Sequence, residues 1–337
     1  MNETSALASE IGKGSVRHRI AVLVPCYNEE ATIGAVIAEI RRVLPDAAVY
    51  VYDNNSNDRT IELARDANAI VRRETHQGKG FVVRRMFADI DADVYLLIDG
   101  DGTYDVPSAS SMIKRLIDEH LDMVVGARIG HAEAAYRRGH RAGNWLLTAF
   151  VKWVFGGTFT DMLSGYRVFS RRFVKSFPVL SSGFEIETEL TVHARQMGMP
   201  VLEVSTPYYA RAEGSASKLN TWRDGFRILW TIVRLYKAER PFQFFSIIGV
   251  SLAVISVILA VPIFITYLEQ GIVPRLPTAV LATGIMLLAF LLITCGLILE
   301  TVTRGRHELK RLAYLQHSGL DCGAFGQRDS LPSGMSF

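Results

Sequence analysis

Residues 20–53 read IAVLVPCYNEEATIGAVIAEIRRVLPDAAVYVYD, and the pattern of this stretch indicates the fold class. The short apolar runs 20–25 and 48–52 predict two buried strands. The apolar residues between them recur at helical spacing: Ile33, Val36, Ile37, Ile40, Val43 and Leu44. A strand, an amphipathic helix and a strand in this order predict neighbouring parallel strands with the helix against the sheet.

The same alternation continues to about residue 126. Short apolar segments and amphipathic segments follow one another in turn, which predicts an α/β fold with a mostly parallel sheet and helices on both faces. The predicted strands are 69–73, 94–98 and 123–126, and the predicted helices are 59–67, 79–90 and 108–119.

Polar residues follow four of the predicted strands, where ligands bind in open α/β sheets. These segments are 26–30, 53–58, 99–102 and 127–128. The first of them lacks the G-x-G-x-x-G pattern of a dinucleotide site, and the chain has no G-x-x-x-x-G-K-[ST] phosphate loop. Hydride transfer and nucleoside triphosphate hydrolysis are therefore disfavoured.

Asp99 and Asp101 stand two residues apart directly after an apolar strand, with glycine at positions 100 and 102. In an extended backbone, residues i and i+2 face the same side, so both carboxylates could bind one Mg²⁺ or Mn²⁺ ion. The alternative is an ordinary Asp-Gly turn. A calcium loop is disfavoured because Tyr104 stands at its sixth position, where glycine is needed.

The charge distribution indicates a membrane segment. The net charge is only +3, which argues against a nucleic-acid partner, and residues 241–303 contain just Glu269, Arg275 and Glu300 as charged side chains. Within this region, the uncharged runs 242–268 and 276–299 both exceed the length of about 20 residues that spans a bilayer. We therefore predict a helical hairpin that crosses the membrane twice.

The basic residues that flank this hairpin predict its orientation. They are Arg234, Lys237, Arg240, Arg304, Arg306, Lys310 and Arg311. Only Arg275 lies in the connecting loop, so the positive-inside rule predicts that both termini and the α/β domain are cytoplasmic. No signal peptide is predicted, because residues 1–18 lack an apolar core.

Two further segments outside the hairpin are amphipathic and rich in Trp, Phe and basic residues. They are 143–155, preceded by Arg137, Arg138 and Arg141, and 222–237. Basic amphipathic helices with Trp lie in membrane interfaces. Ordinary core helices with solvated charges are the alternative.

Seven motifs occur in a fixed order: VPCYNEE (24–30), YDNNSNDRT (52–60), GKG (78–80), DGDG (99–102), GAR (126–128), DMLSGYR (161–167) and RAEGSASKL (211–219). This ordered set resembles the family 2 glycosyltransferases of the GT-A fold. The match within that family is to polyprenyl-phosphate glycosyltransferases of the dolichol-phosphate mannose synthase and bacterial undecaprenyl-phosphate glucosyltransferase types. It extends over about residues 18–225.

The resemblance implies inverting transfer of a sugar from a UDP- or GDP-linked donor to a polyprenyl phosphate, in a bacterial inner membrane. Pro25, Tyr27, Glu29 and Asp53 would line the nucleotide pocket, and Asp99 and Asp101 would bind Mg²⁺ or Mn²⁺ and the diphosphate. Arg128, Arg211 and Lys218 would neutralise phosphates. Independently of the resemblance, Lys79 follows a glycine loop at a predicted helix start, where phosphate is favoured, although a solvated lysine is the alternative. Asp161, Arg167, Arg137, Arg138 and Arg141 would lie on the acceptor side.

This sequence departs from the pattern at two places. Thr103 stands where relatives often have a Gln that completes the metal site, and Asn54-Asn55 replaces the more usual Asp-Gly after Asp53. The rival functions are a processive polysaccharide synthase, which would need a Q-x-x-R-W motif and more spans, and a non-catalytic membrane-anchored binding subunit. Two spans form a small membrane domain, which is compatible with self-association.

These observations divide the chain into five segments. They are an N-terminal extension (1–17), the catalytic domain (18–220), an amphipathic juxtamembrane helix (221–240), the two spans (241–303) and a cytoplasmic tail (304–337).

Overall fold

The computed structural model divides the chain into two compact units, residues 1–221 with 313–337 and residues 222–312. The residues that the structure describes are 18–130, 160–179, 181, 183, 185–211, 229–230, 233–234, 236–273 and 275–320. Several predictions fall outside them, namely those on residues 1–17, on the segment 143–155 with its three arginines, on most of 211–229 and on the end of the tail.

The first unit contains a seven-stranded sheet, and the alternating pattern predicts its first five strands. Its strands are β1 (Ile20–Cys26), β2 (Ala48–Asp53), β3 (Ile70–Arg73), β4 (Val94–Leu97), β5 (Met123–Gly130), β6 (Arg167–Ser170) and β7 (Val201–Tyr208). Their spatial order is β3-β2-β1-β4-β6-β5-β7. Strand β6 pairs antiparallel with β4 and β5, and the other strand pairs are parallel.

Six helices accompany this sheet within the described residues. They are α1 (Ile33–Val43), α2 (Thr60–Asp66), α3 (Lys79–Asp89), α4 (Ser108–Asp118), α5 (Arg171–Ser176) and α6 (Ile186–Met197). In α1, the buried residues Ile33, Ile37 and Ile40 form one face, as their spacing predicts. Burial of each such side chain contributes about 1.5–3 kcal/mol, which fixes α1 against the sheet.

The second unit contains the two apolar helices, α7 (Pro241–Gln270) and α8 (Leu276–Leu315). Both are long and apolar enough to cross a membrane. Gly271 ends α7 with a positive φ of 66°, as its place between the two apolar runs predicts. The α8 helix continues well beyond residue 299, because an apolar run marks the hydrocarbon region and not the end of a helix.

Small residues bring α7 and α8 together. A Cβ atom at Gly249 would lie 2.8 Å from Ile293 Cγ1, and the Ser256 hydroxyl donates to the Ala282 carbonyl at 2.7 Å. The buried α8 residues recur every seven positions: Ala282, Ala289, Gly296 and Thr303. Small residues at such positions let the backbones of two helices approach closely.

Candidate active site

The strand order reverses at β1, because β2 and β3 lie on one side of it and β4 on the other. Ligands in open α/β sheets bind outside the carboxyl ends of the strands at such a switch point. Here the carboxyl ends of β1 and β4 are followed by Tyr27–Glu29 and by Asp99–Asp101, respectively. The topology therefore brings two of the predicted motifs to the same edge of the sheet.

The loops after β1 and β2 are joined by hydrogen bonds between their residues. The Asn28 amide donates to Ser56 Oγ at 2.9 Å, and the Glu29 amide donates to Thr60 Oγ1 at 2.8 Å. In return, the Asn57 amide donates to Asn28 Oδ1 at 2.8 Å. Asn28 adopts a positive φ of 51°, which Asn tolerates better than most residues. Pro25 and Tyr27 on this edge are partly exposed, whereas Glu29 is buried.

Asp53 shapes its own loop. Its side chain is fully buried, and both carboxylate oxygens accept from the Ser56 amide, at 3.1 and 3.3 Å. Arg73 Nε lies 3.9 Å from one of these oxygens. Contact between Asp53 and a nucleotide stays a prediction, because the hydrogen bonds of its carboxylate are to the Ser56 amide in the same turn.

Asn54 explains one of the two departures from the family pattern. Its side-chain amide donates to the Glu74 and His76 carbonyls at 3.1 and 2.7 Å, and its oxygen accepts from the Gly78 amide at 2.7 Å. Asn54 therefore holds the loop that leads into α3 and Lys79. We call residues 26–30, 53–60 and 74–78 the hydrogen-bonded rim.

Asp99 contacts a buried lysine at the start of α3. Lys79 Nζ lies 2.6 Å from Asp99 Oδ1 and 2.7 Å from Glu187 Oε1 on α6. Burial would lower the pKa of Lys79, but the two carboxylates raise it above its ordinary value, so the side chain is an ammonium at neutral pH. Spacing alone did not single out Glu187, because it is one of three alternating glutamates near a helix start.

Asp101 is almost fully buried and contacts two groups. Its Oδ1 accepts from the Thr103 hydroxyl at 2.6 Å and from the Thr103 amide at 3.2 Å. Its Oδ2 lies 2.7 Å from Arg211 Nη2. Thr103, the second departure from the family pattern, therefore orients the carboxylate of Asp101.

Arg128 and Asp161 form a bidentate ion pair, with Nε and Nη2 of the arginine 2.6 and 2.7 Å from the two carboxylate oxygens. Burial would raise the pKa of Asp161, but the hydrogen bonds and charge of Arg128 hold it below the ordinary value. The amides of Thr160 and Asp161 both donate to Glu203 on β7, which fixes this turn. We call Asp99, Asp101 and Asp161 with Lys79, Arg128 and Arg211 the ion-paired rim.

The structure does not bring Arg167 to this surface. Its side chain is fully buried, and it donates to the Ser164 and Met162 carbonyls at 2.9 and 2.6 Å and to the Thr191 hydroxyl at 2.9 Å. Burial lowers the pKa of Arg167 to about 10. This arginine supports the turn that carries Asp161. The other predicted acceptor-side arginines, Arg137, Arg138 and Arg141, lie outside the described residues, as does Lys218.

Gly165 lies directly against the acidic pair. A Cβ atom there would be 2.7 Å from Asp99 Oδ2 and 2.9 Å from Lys79 Nζ, and the Gly165 amide donates to Tyr104 Oη at 2.8 Å. Any larger residue would displace the Asp99 carboxylate. The absence of a side chain at this position therefore lets the backbone of the 161–167 segment approach Asp99 and Lys79 closely.

The donor set fits Mg²⁺ or Mn²⁺ bound together with a diphosphate. Among the residues that the structure describes, no group of three or more His, Cys, Asp and Glu side chains could hold a metal ion. Asp99 and Asp101 would supply two carboxylates, and phosphate oxygens and water would complete the coordination. This is the usual way in which proteins bind Mg²⁺ at phosphate sites.

The mostly parallel sheet, with Asp99 and Asp101 at its switch point, agrees with the GT-A fold that the ordered motifs predict. Residues 21–177 match Glycosyl transferase family 2. The glycosyltransferase AglJ of Haloferax volcanii is 34% identical over 300 residues, which cover 88% of this chain and 98% of the relative. The chain belongs to glycosyl transferase family 2, and it is an enzyme of that family.

Two further comparisons agree with this assignment. The dolichyl-phosphate hexose transferase of Haloferax volcanii is 31% identical over 221 residues, covering 66% of this chain and 95% of the relative. The crystal structure of glucosyl-3-phosphoglycerate synthase from Mycobacterium tuberculosis with Mg²⁺ and UDP superposes with a TM-score of 0.57 at 22% identity. That alignment covers 69% of this chain and 83% of the synthase, and it shows a shared fold.

Proposed function

We propose that this enzyme transfers a sugar from a UDP- or GDP-linked donor to the phosphate of a polyprenyl phosphate, with inversion. The observation that carries the proposal is the ion-paired rim, where three carboxylates and three cations meet in a chain that also has two membrane-length helices. The name of the Haloferax dolichyl-phosphate hexose transferase supports a lipid phosphate as the acceptor. The product would be a polyprenyl-phosphate monosaccharide.

The chemistry of the acceptor suits these residues. A phosphomonoester has a second pKa of about 6, so it is already largely ionised at neutral pH and needs no general base. The site must instead bring two anions together, align the phosphate oxygen behind the anomeric carbon and stabilise the departing diphosphate. Direct displacement from behind inverts the anomeric configuration.

Different residues of the ion-paired rim would bind the metal and the phosphates. Asp99 and Asp101 would hold Mg²⁺ or Mn²⁺, which supplies charge neutralisation to the leaving diphosphate. Arg128, held by Asp161 and placed 5.5 Å from the centre of the Tyr208 ring, would bind a phosphate oxygen. Pro25, Tyr27 and Glu29 would line the nucleotide pocket on the hydrogen-bonded rim.

The hairpin would place this chemistry at the cytoplasmic surface. Basic residues flank the outer ends of α7 and α8, whereas the loop between these helices has only Arg275. The lipid phosphates of the cytoplasmic leaflet would then be on the same side of the membrane as the catalytic domain. In this topology both chain ends are cytoplasmic.

A transfer assay in detergent with a panel of labelled UDP- and GDP-sugars tests the proposal. We expect transfer to undecaprenyl phosphate with one donor in Mg²⁺ or Mn²⁺ and loss of activity in EDTA. Asp101→Asn should lower the rate at least about 100-fold, because the charge that helps hold the metal is lost. The exposed Asp118→Asn is the matched control and should retain full activity.

Full turnover of Asp101→Asn, or transfer that EDTA does not affect, would contradict the metal assignment. The anomeric configuration of the product, read by NMR, would contradict the displacement mechanism if it were retained.

A further inference from the structure

Both oxygens of the Asp101 carboxylate have partners within the protein. Thr103 donates to Oδ1, and Arg211 contacts Oδ2 at 2.7 Å. The Asp101 side chain is only 6% exposed, so an unpartnered charge there would be costly. A metal ion that binds Asp101 through Oδ2 must therefore replace the Arg211 guanidinium.

Asp99 is also paired with a cation, but the pair is built differently. Lys79 lies at the start of a helix, is 10% exposed and contacts Glu187 as well as Asp99. Lys79 can therefore stay with Glu187 when Asp99 turns to a metal. Arg211 is 30% exposed and lies three residues beyond the end of β7, outside regular secondary structure. It is thus the more readily displaced of the two cations.

We propose that Arg211 is an exchangeable cation, which neutralises Asp101 when no metal is bound and moves to the donor diphosphate when a metal binds Asp101. This inference rests on the proposed metal-dependent function and adds an exchange step to it. The exchange keeps Asp101 neutralised at each stage. It also releases the guanidinium at the place where two phosphate charges enter, so that metal binding prepares the diphosphate site.

If Arg211 exchanges in this way, a single substitution of Arg211 should have opposite effects on the affinity for metal and on the affinity for the nucleoside diphosphate. In Arg211→Gln the metal no longer competes with a cation, so the Kd for Mn²⁺ without nucleotide should fall about tenfold. The diphosphate loses a partner, so the Kd for UDP or GDP, whichever the wild type binds, should rise about tenfold at saturating Mn²⁺. Isothermal titration calorimetry of the full-length protein in detergent measures both quantities.

Arg128→Gln is the matched control, because Arg128 forms a bidentate ion pair with Asp161. Its Kd for Mn²⁺ should stay within about twofold of wild type. Arg211→Lys keeps the charge and should lie between wild type and Arg211→Gln for both ligands. Circular dichroism establishes that each variant is folded.

The outcomes separate the two proposals. If wild type and Arg211→Gln bind Mn²⁺ equally, or if Arg211→Gln binds it more weakly, the exchange is overturned and the proposed function stands. If wild-type protein binds no Mn²⁺ with or without nucleotide, the metal assignment of the proposed function fails, and the exchange fails with it.

Discussion

The two rims of the site are held together by different interactions. In the hydrogen-bonded rim, side chains such as Asn54 bind main-chain groups of neighbouring loops, so that each contact fixes the path of the backbone. In the ion-paired rim, side-chain charges bind one another, as in the contacts of Asp99 with Lys79 and of Asp101 with Arg211. The hydrogen bonds of the first rim fix the conformation of its loops. The ion pairs of the second rim can exchange partners without a change in the backbone.

This difference matches the two tasks of a group-transfer site. A nucleotide is recognised by the shape of its pocket. Loops that already have the bound conformation lose little conformational entropy when the nucleotide binds. A metal ion and two phosphates bring large charges into a region of low dielectric, and that region must be neutralised both before and after they bind. We therefore expect substitutions in the two rims to affect different measurements.

Glu187→Gln should have a larger effect on metal affinity than Glu189→Gln or Asn54→Ala. It removes one of the two carboxylates that contact Lys79. The Lys79 ammonium would then pair with Asp99 alone and compete with the metal for this carboxylate. We expect the Kd for Mn²⁺ to rise about tenfold, with a similar loss of transfer rate at subsaturating metal. Calorimetry and the transfer assay measure the two values.

Glu189→Gln is the matched control for this prediction. Glu189 lies on the same helix, is also buried and accepts from the Ser181 amide at 2.8 Å. The same chemical change there should leave the Kd for Mn²⁺ within about twofold of wild type. Equal effects of the two variants would show that Glu187 does not act through Lys79.

Asn54→Ala should affect stability and leave metal binding unchanged. Three hydrogen bonds to the 74–78 loop are lost, and the net loss of stability should be about 1–3 kcal/mol. Thermal unfolding followed by fluorescence would show a lower midpoint, while the Kd for Mn²⁺ stays within about twofold of wild type. Asn57→Ala is the control, because the hydrogen bond of Asn57 to Asn28 is made by its backbone amide. A large change in metal affinity in Asn54→Ala would contradict the expectation that the hydrogen-bonded rim affects stability and not metal binding.

Much of the fold and the position of the acidic pair at the edge of the sheet could be predicted from the sequence. The predicted strands from β1 to β4 agree with the structure within about a residue at each end, because apolar runs and turn residues are local signals. The position of Asp99 and Asp101 follows from the rule that polar residues after parallel strands meet at one edge. GT-A membership follows from the order of the motifs.

The contacts that organise the site could not be predicted in this way. Glu187 meets Lys79 across more than 100 residues of sequence, and no local pattern distinguishes it from Glu185 or Glu189. Arg167 lies in a conspicuous motif, yet the direction of its side chain depends on the insertion of β6 antiparallel between β4 and β5. That insertion is a property of the whole sheet.

The acceptor is the central element of the proposed function, and one measurement tests it most directly. Purified protein is given the labelled donor together with equal amounts of undecaprenyl phosphate and undecaprenol, and the labelled lipids are separated and counted. We expect the label almost entirely in the phosphate lipid, because the phosphate is the nucleophile and the uncharged alcohol would need a general base. Equal labelling of both lipids, or donor hydrolysis without any labelled lipid, would contradict the account.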